Sequence, residues 1–573
     1  MGVSGPRLRE RAQVIEALDA ALAVARGGRG SALFVIGAPG LGKTSVLGAA
    51  RDRAASADMG IRRATGSALE ADLALAFAEQ LAGPLGVATG LTGEPHRVDV
   101  DPGSGEGHGD LALRRARVHE LARAGMERLA NRGPVAVLLD DLHWADPDSL
   151  SVVGFLARRL ISLPVALVVT LRPWPDAAAR LSHSLHGEGA ARILALQPLS
   201  RESSAGLFCE QLGHAGQAPP ADPGLVEWAW NVAKGNPLLI GAAARSAAPA
   251  AGSGLGQPGP TGLVLRILDG LPPEALECAR AAAVLGQRFR PELVEAILDQ
   301  DPATFAGALD LLMTAGVLRG AGAGGWISFD HDLVATAIRA DLGPGRRRLL
   351  HARAFAQRLE AGDVTGAASH ALAGGLTGDD RAVDALAESA RLALAAGAVE
   401  TGLDQLAAAV ELARPAPPPR LLLARADALY AAGRPEAAVA AYQRVLDHPP
   451  GRQLGGDERI AVHVRAARAR IWAGRLREAR ADYDALLADG GLPMPVLITT
   501  VLERAHAVWE LDGPAAALAA LYPPPGVPET LEWSRALDQP RWFFRLETGD
   551  ASVLPALGAD PSAGPSAGHA TRP

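Results

Sequence analysis

The sequence predicts an α/β P-loop NTPase domain built on a parallel sheet, followed by an all-α lid, a winged-helix module and a tetratricopeptide-like α-solenoid. Three observations carry this. Residues 31–50, SALFVIGAPGLGKTSVLGAA, set an apolar run before Gly37, four residues, then Gly42-Lys43-Thr44 and a helix-forming stretch. That is the strand, glycine-rich turn and helix that a Walker A loop needs. Residues 134–150, PVAVLLDDLHWADPDSL, run an apolar strand into the paired carboxylates Asp140 and Asp141. Beyond residue 345 helix follows helix, and Gly397, Gly433 and Gly474 recur 36 and 41 residues apart in similar Ala-, Leu- and Arg-rich segments. This lies near the period of about 34 residues of tetratricopeptide helix pairs.

The whole chain bounds these elements. At 573 residues it is too long for one core, and about three to five domains are expected. The breaks in pattern place them at 1–197 (nucleotide-binding α/β domain), 198–245 (helical lid), 263–345 (winged-helix-like), 346–522 (helical repeats), 523–556 (a helical cap) and 557–573 (a disordered tail). A net charge of −7 and a pI near 6.1 point away from a global nucleic-acid or membrane-surface protein. Cys209 and Cys278 lie in helix-like apolar stretches, which suits buried thiols in a reducing compartment, so a cytoplasmic location is expected. The N-terminus has no apolar signal core and no segment is apolar enough to span a bilayer. The 56 basic residues include two lysines, Lys43 and Lys234. An arginine background makes the retained Lys43 informative, because a planar fork poorly replaces a compact ammonium inside a phosphate loop.

Taken in order, residues 7–26 form an amphipathic helix stopped by Gly27-Gly28, and the phosphate loop follows. Gly37, Gly40 and Gly42 let backbone amides curl around phosphates, Lys43 reaches the outer phosphates, and Thr44 ligates Mg2+, with Ser45 beside it. A short strand and a helix come next. Residues 92–110 read as a solvated loop whose acidic and histidine residues match no metal-ligand spacing. A helix over 111–131 leads to the second motif, in which Asp140 holds the metal and Asp141 orients or deprotonates the attacking water. His143 and Trp144 follow, and are expected to pack rather than react. A third buried strand, 163–173, ends at Arg172, placed to sense the γ-phosphate. Lys234-Gly235-Asn236-Pro237 breaks and restarts a lid helix, residues 245–262 form a linker, and a short wing precedes the helix carrying His331.

In this order the parts resemble the large ATP-binding regulators of the LuxR group, within the STAND class of signalling P-loop NTPases. LLDDLHWADPDSL is the most specific element, supported by GSALEADLALAFAEQL, VVTLRP, KGNPLLI and FDHDLVATAI. The resemblance spans residues 7–520. It implies ATP/ADP and Mg2+ as ligands, a lid and winged helix that close over ADP, and slow hydrolysis as part of a switch. It also implies repeats that receive an inducer or protein partner, and nucleotide-dependent self-association. By the same resemblance Gly235 and Pro237 lie in the lid's nucleotide-contacting motif, His331 touches the ADP β-phosphate, and Arg11 belongs to the adenine seat. Two departures stand out: Glu10 occupies the family's glycine position before Arg11, and no basic helix-turn-helix follows the repeats. Direct DNA binding by this chain is therefore not expected. A LuxR-type regulator whose helix-turn-helix is truncated or supplied by a partner, a steady-turnover ATPase acting on a protein, and a nucleotide-bound scaffold remain alternatives.

Overall fold

A computed structural model describes residues 8–67, 71, 73–82, 110–173, 176–214, 223–247, 271–298, 300–320, 325–329, 332–447, 455–489, 492–523 and 529–550. The expected loop at 92–110, most of the 245–262 linker, His331 and the tail lie outside the described residues, apart from Asp110 and residues 245–247. The chain divides into two compact units, one running to Pro415 apart from Glu106–Asp110, the other from Ala416 onward with that short segment.

The first unit opens with helix α1 (Ala12–Arg26) and strand β1 (Ser31–Ile36), followed by α2 (Lys43–Ser56), β2 (Gly60–Thr65), α3 (Ala76–Ala82), α4 (Asp110–Ala130) and β3 (Val135–Asp140). After β3 come α5 (Pro147–Ala157), β4 (Val165–Leu171), α6 (Ala177–Gly187) and β5 (Arg192–Ala195). The five strands are parallel in the order β2-β3-β4-β1-β5. Alternation along each strand builds two apolar layers. Leu33 and Val35 pack with Leu18, Val46 and Leu47 under α1 and α2, while Phe34, Ile36, Val137 and Leu139 pack with Met126, Val152 and Leu156 under α4 and α5. The register sets β1 Ile36 beside β4 Leu171 and β3 Leu139 beside β4 Val169, so the three strands deliver their following residues to one edge. In parallel sheets that edge is where ligands bind.

The lid, α7 (Arg201–His214), α8 (Pro223–Ala233) and α9 (Pro237–Ala247), closes its own core around Phe208, Ala229 and Ile240. Then α10 (Pro273–Leu285), β6 (Arg288–Phe289), α11 (Pro291–Leu298), α12 (Pro302–Thr314), β7 (Leu318–Gly320), β8 (Ile327–Phe329) and α13 (Asp332–Asp341) form the winged-helix module, its antiparallel wing ordered β6-β8-β7. Cys278 is fully buried in α10 and burial pushes its thiol up to about 12, so it behaves as a small apolar residue.

Helical hairpins follow: α14 (Pro344–Glu360) with α15 (Val364–Gly374), then α16 (Asp380–Ala395) with α17 (Val399–Leu412). In the second unit α18 (Pro419–Ala431) pairs with α19 (Pro435–Leu446), α20 (Gly456–Trp472) with α21 (Leu476–Asp489), and α22 (Met494–Asp512) with α23 (Pro514–Ala520). The three glycines singled out from the sequence sit at hairpin turns with φ of 83° (Gly397), 75° (Gly433) and 74° (Gly474), where a Cβ would be strained. Gly362 and Gly513 do the same at φ of 77° and 87°, marking two hairpins that the repeat pattern left unrecognised. A last helix, α24 (Leu531–Glu547), packs Trp533, Leu537 and Phe544 onto α22, covering the end of the array.

Candidate functional site

The site is built where β1, β3 and β4 end. Gly40 and Gly42 take φ of 82° and 90°, a left-handed backbone that frees the loop to curl. Gly42 is the N-cap of α2 and offers no side chain to the first-turn amides, leaving that turn suited to an anion. Lys43 is 8% exposed and its Nζ donates to the carbonyls of Gly37 at 3.0 Å and Ala38 at 3.2 Å. Thr44 and Ser45 are exposed on the same turn.

Asp140 is buried at the end of β3, where the Thr170 hydroxyl on β4 donates to its Oδ1 at 2.5 Å. The same Thr170 oxygen accepts the Asp141 amide at 3.0 Å. One hydroxyl thus holds both carboxylate-bearing residues, a role that the VVTLRP stretch containing Thr170 does not reveal. Asp141 adopts φ of 52°, a conformation that costs a non-glycine residue free energy and turns its side chain off the strand. Gly66 makes room: a Cβ there would lie 2.4 Å from the Asp141 carbonyl oxygen.

A short 3-10 turn, Leu142–Trp144, brings His143 into the site. Its side chain is 2% exposed and Nδ1 lies 3.8 Å from Asp141 Oδ1. Burial first, then the charges of Arg172 and Lys43, press the imidazole down to about 3, so it is neutral at pH 7. Arg172 is 4% exposed, with its guanidinium 5.4 Å from the Trp144 ring centroid. Packing accounts for Trp144 as the sequence suggests, whereas His143 stands among the charged residues of the site.

The lid reaches the loop directly. Asn236 Nδ2 donates to the Pro39 carbonyl at 2.8 Å, its Oδ1 accepts the Leu238 amide at 3.1 Å, and Pro237 opens α9. Gly235 at φ of 82° lies so close to Leu199 that a Cβ would come within 2.3 Å of its carbonyl oxygen. Asn236 is thus the residue of the KGNP turn that touches the loop, though the resemblance pointed to its neighbours.

Residues 7–169 match the family model described as AAA ATPase domain. The α/β core is an AAA ATPase domain. Such a P-loop domain implies nucleotide binding, usually with Mg2+. A curated relative, an uncharacterized protein of Rhizobium meliloti (strain 1021), is 28% identical over 257 residues, which are 42% of this chain and 24% of that protein. The chain therefore spans about a quarter of the length of the curated relative it matches. Among solved structures, a Signal Transduction ATPase with Numerous Domains (STAND) protein with a tetratricopeptide repeat sensor, from Pyrococcus horikoshii, is similar at a TM-score of 0.48. The two are 14% identical, over 97% of this chain and 75% of that one. The Aeropyrum pernix Orc1 protein in complex with DNA is similar at a TM-score of 0.32 and 19% identity, over 60% of this chain and 95% of that one.

In the AAA domain Arg11 is 6% exposed and donates to the Leu41 carbonyl at 3.3 Å, beside the phosphate loop. Glu10 before it takes φ of 54°, the left-handed backbone that a glycine adopts freely. Its carboxylate accepts from the Ser200 amide at 2.8 Å, from the Ser200 hydroxyl, and from the Ser203 hydroxyl at 2.6 Å. These donors hold it down to about 2. The departure from glycine thus ties the start of the AAA domain to the start of the lid. The donor set at Thr44 and Asp140 is all oxygen, which fits a hard cation such as Mg2+. No helix among the described residues is long and apolar enough to cross a membrane.

Proposed function

We propose that this chain is a nucleotide-dependent signalling switch of the STAND type, cytoplasmic and acting in transcriptional regulation. ADP holds the lid and winged helix over the AAA domain, and ATP, with an inducer or protein partner on the helical repeats, releases them and promotes self-association. The observation that carries this reading is the hydrogen bond from Asn236 of the lid to Pro39 of the phosphate loop. A lid bonded to the loop itself senses what the loop holds, which an enzyme built only for turnover does not need. The LuxR-like part of the reading rests on LLDDLHWADPDSL and its companion motifs.

In this switch each site residue takes a role. Gly37, Gly40, Gly42, Lys43, Thr44 and Ser45 bind the phosphates, Arg11 and Pro237 approach the base and sugar, and Arg172 reads the γ-phosphate. Thr44 and Asp140 would hold Mg2+, which when bound would supply positive charge to the nucleotide phosphates. Asp141 accepts the proton of the attacking water or aligns it, with the His143 ring beside it.

Nucleotide identification after denaturing fresh protein tests the reading: stoichiometric ADP is expected, and an empty site counts against it. Lys43→Ala is expected to weaken ADP and ATP binding by about 100-fold or more in calorimetry. Asp141→Asn is expected to keep ATP binding while turnover falls by about 10²–10⁴-fold. Unaltered size by light scattering with ADP and with ATP, Mg2+ and inducer would sink the switch. Fast steady turnover with no change of size would favour an ATPase that works on a partner.

A further inference from the structure

Asp148 lies in the first turn of α5, on the segment that leaves the two carboxylates, and is 2% exposed. It does not cap its own helix, because Asp146 does that by accepting the Ser149 amide at 3.0 Å. Instead Asp148 Oδ2 accepts the Thr401 amide and the Thr401 hydroxyl, each at 2.9 Å, and Oδ1 accepts the Glu400 amide at 3.3 Å. Those amides belong to the first turn of α17, whose N-cap is Ala398, a residue with no side-chain acceptor. The carboxylate therefore does for a repeat helix what an N-cap aspartate does within its own chain segment, and does it from the AAA domain.

The surrounding contact is close. Ala393 and Ala398 of the α16–α17 hairpin are buried in the same apolar layer as β3 and β4. At Gly397 a Cβ would lie 3.0 Å from the Arg114 carbonyl oxygen and 3.1 Å from Val118 on α4. Arg115 Nη1 pairs with Glu400 Oε1 at 3.7 Å. All three donors to Asp148 come from α17, so the hairpin's departure removes them together and returns the carboxylate to water. Burial raises its pKa even against these donors, so the docked charge is held by them and not by its setting. Asp146 differs: the Leu75 amide at 3.1 Å and the Ser149 amide bond it from inside the AAA domain.

We propose that Asp148 is the tie through which the α16–α17 hairpin regulates the nucleotide site. Docked, the hairpin fixes the start of α5 and with it the turn that carries Asp141 and His143. Undocked, it frees that turn and speeds nucleotide exchange. This rests on the nucleotide-switch reading above.

The test uses the full chain loaded with fluorescent ADP, read by ADP release and by hydrogen exchange over residues 397–402. Asp148→Ala and the milder Thr401→Val are expected to raise exchange there and to speed release, by about 5-fold or more for Asp148→Ala. Adding Ala398→Ser to Asp148→Ala gives α17 a cap of its own. Thermal stability is then expected to recover while release stays fast, which a purely structural role would not produce. The proposal is overturned if exchange rises and release is unchanged, if neither variant raises exchange, or if Ala398→Ser restores slow release. Should wild type and Lys43→Ala both hold no ADP, the switch reading and this inference fall together; Lys43-dependent ADP with unaltered release in Asp148→Ala removes the inference alone.

Discussion

Thr170 and Asp141 show how much of the site depends on a residue whose motif, VVTLRP, does not reveal its role. With Val at 170 the strand keeps its shape, but Asp140 loses a donor and the Asp141 amide loses its acceptor. Thr170→Val is expected to raise the Mg2+ concentration for half-maximal turnover and to cost about 1–3 kcal/mol of stability, with Thr170→Ser restoring both. A magnesium titration of ATPase activity beside a denaturant melt checks this. Lys43, Asp140 and Arg172 are legible in the sequence because local chemistry, a strand end or a glycine turn, fixes their place. Thr170, Gly66, His143 and Asn236 are not, since each earns its role through a neighbour far along the chain: residue 140, residue 141, residue 172 and residue 39 respectively.

Strands β1 to β4, the lid's broken helix and three of the hairpins are foretold by periodicity and by glycine or proline stops, whereas the short strands β5 and β6 are not. Gly362 and Gly513 extend the same series, at spacings of 35 and 39 residues from Gly397 and Gly474, with residues 514–522 similar to residues 435–442. The KGNP turn does two jobs in one side chain, capping α9 and bonding the loop. Asn236→Ala should therefore lower stability by about 1 kcal/mol and also accelerate nucleotide release, measured by melting and by fluorescent ADP chase. The hairpin of α14 and α15 holds a different device, His351 and His370 with their Nδ1 atoms 3.0 Å apart. Burial is the main cause that presses them down to about 4 and about 3, Arg347 adding at the first and Arg358 at the second. Both are neutral when folded at pH 7, while the unfolded chain takes up their protons below about pH 6.5. Stability is thus fully present above that pH and falls on acidification toward pH 4, by at most about 1.4 kcal/mol per pH unit for each histidine. Melting temperature measured from pH 7.5 to 4.5 should show this slope, flattened in the His351→Asn, His370→Asn double variant.

The division near Pro415 has its own thermodynamic signature. A ligand stabilises only the part that binds it, so calorimetry is expected to give two transitions, with ADP raising the transition of the unit that holds the AAA domain. A single transition shifted as a whole would mean that the repeats beyond Ala416 unfold only with the nucleotide site. The sequence shows that helical repeats follow an α/β domain, but periodicity is blind to which hairpin packs where. The contacts of Ala393, Ala398 and Thr401 with α4, α5 and the sheet depend on small residues whose one-dimensional pattern equals that of any alanine-rich helix.

The scarcity of lysine gives this protein an optical handle. In 573 residues the two side-chain amines sit on Lys43, buried in the phosphate loop, and on Lys234, exposed at the lid turn with φ of 45°. At neutral pH an amine-reactive dye takes the chain's α-amine first, because that group loses its proton well below a lysine; with the α-amine blocked in that first step, a second, more alkaline labelling marks the lid at Lys234 while the loop amine stays shielded. Without any engineered residue, the emission of that dye would report when the lid leaves the loop.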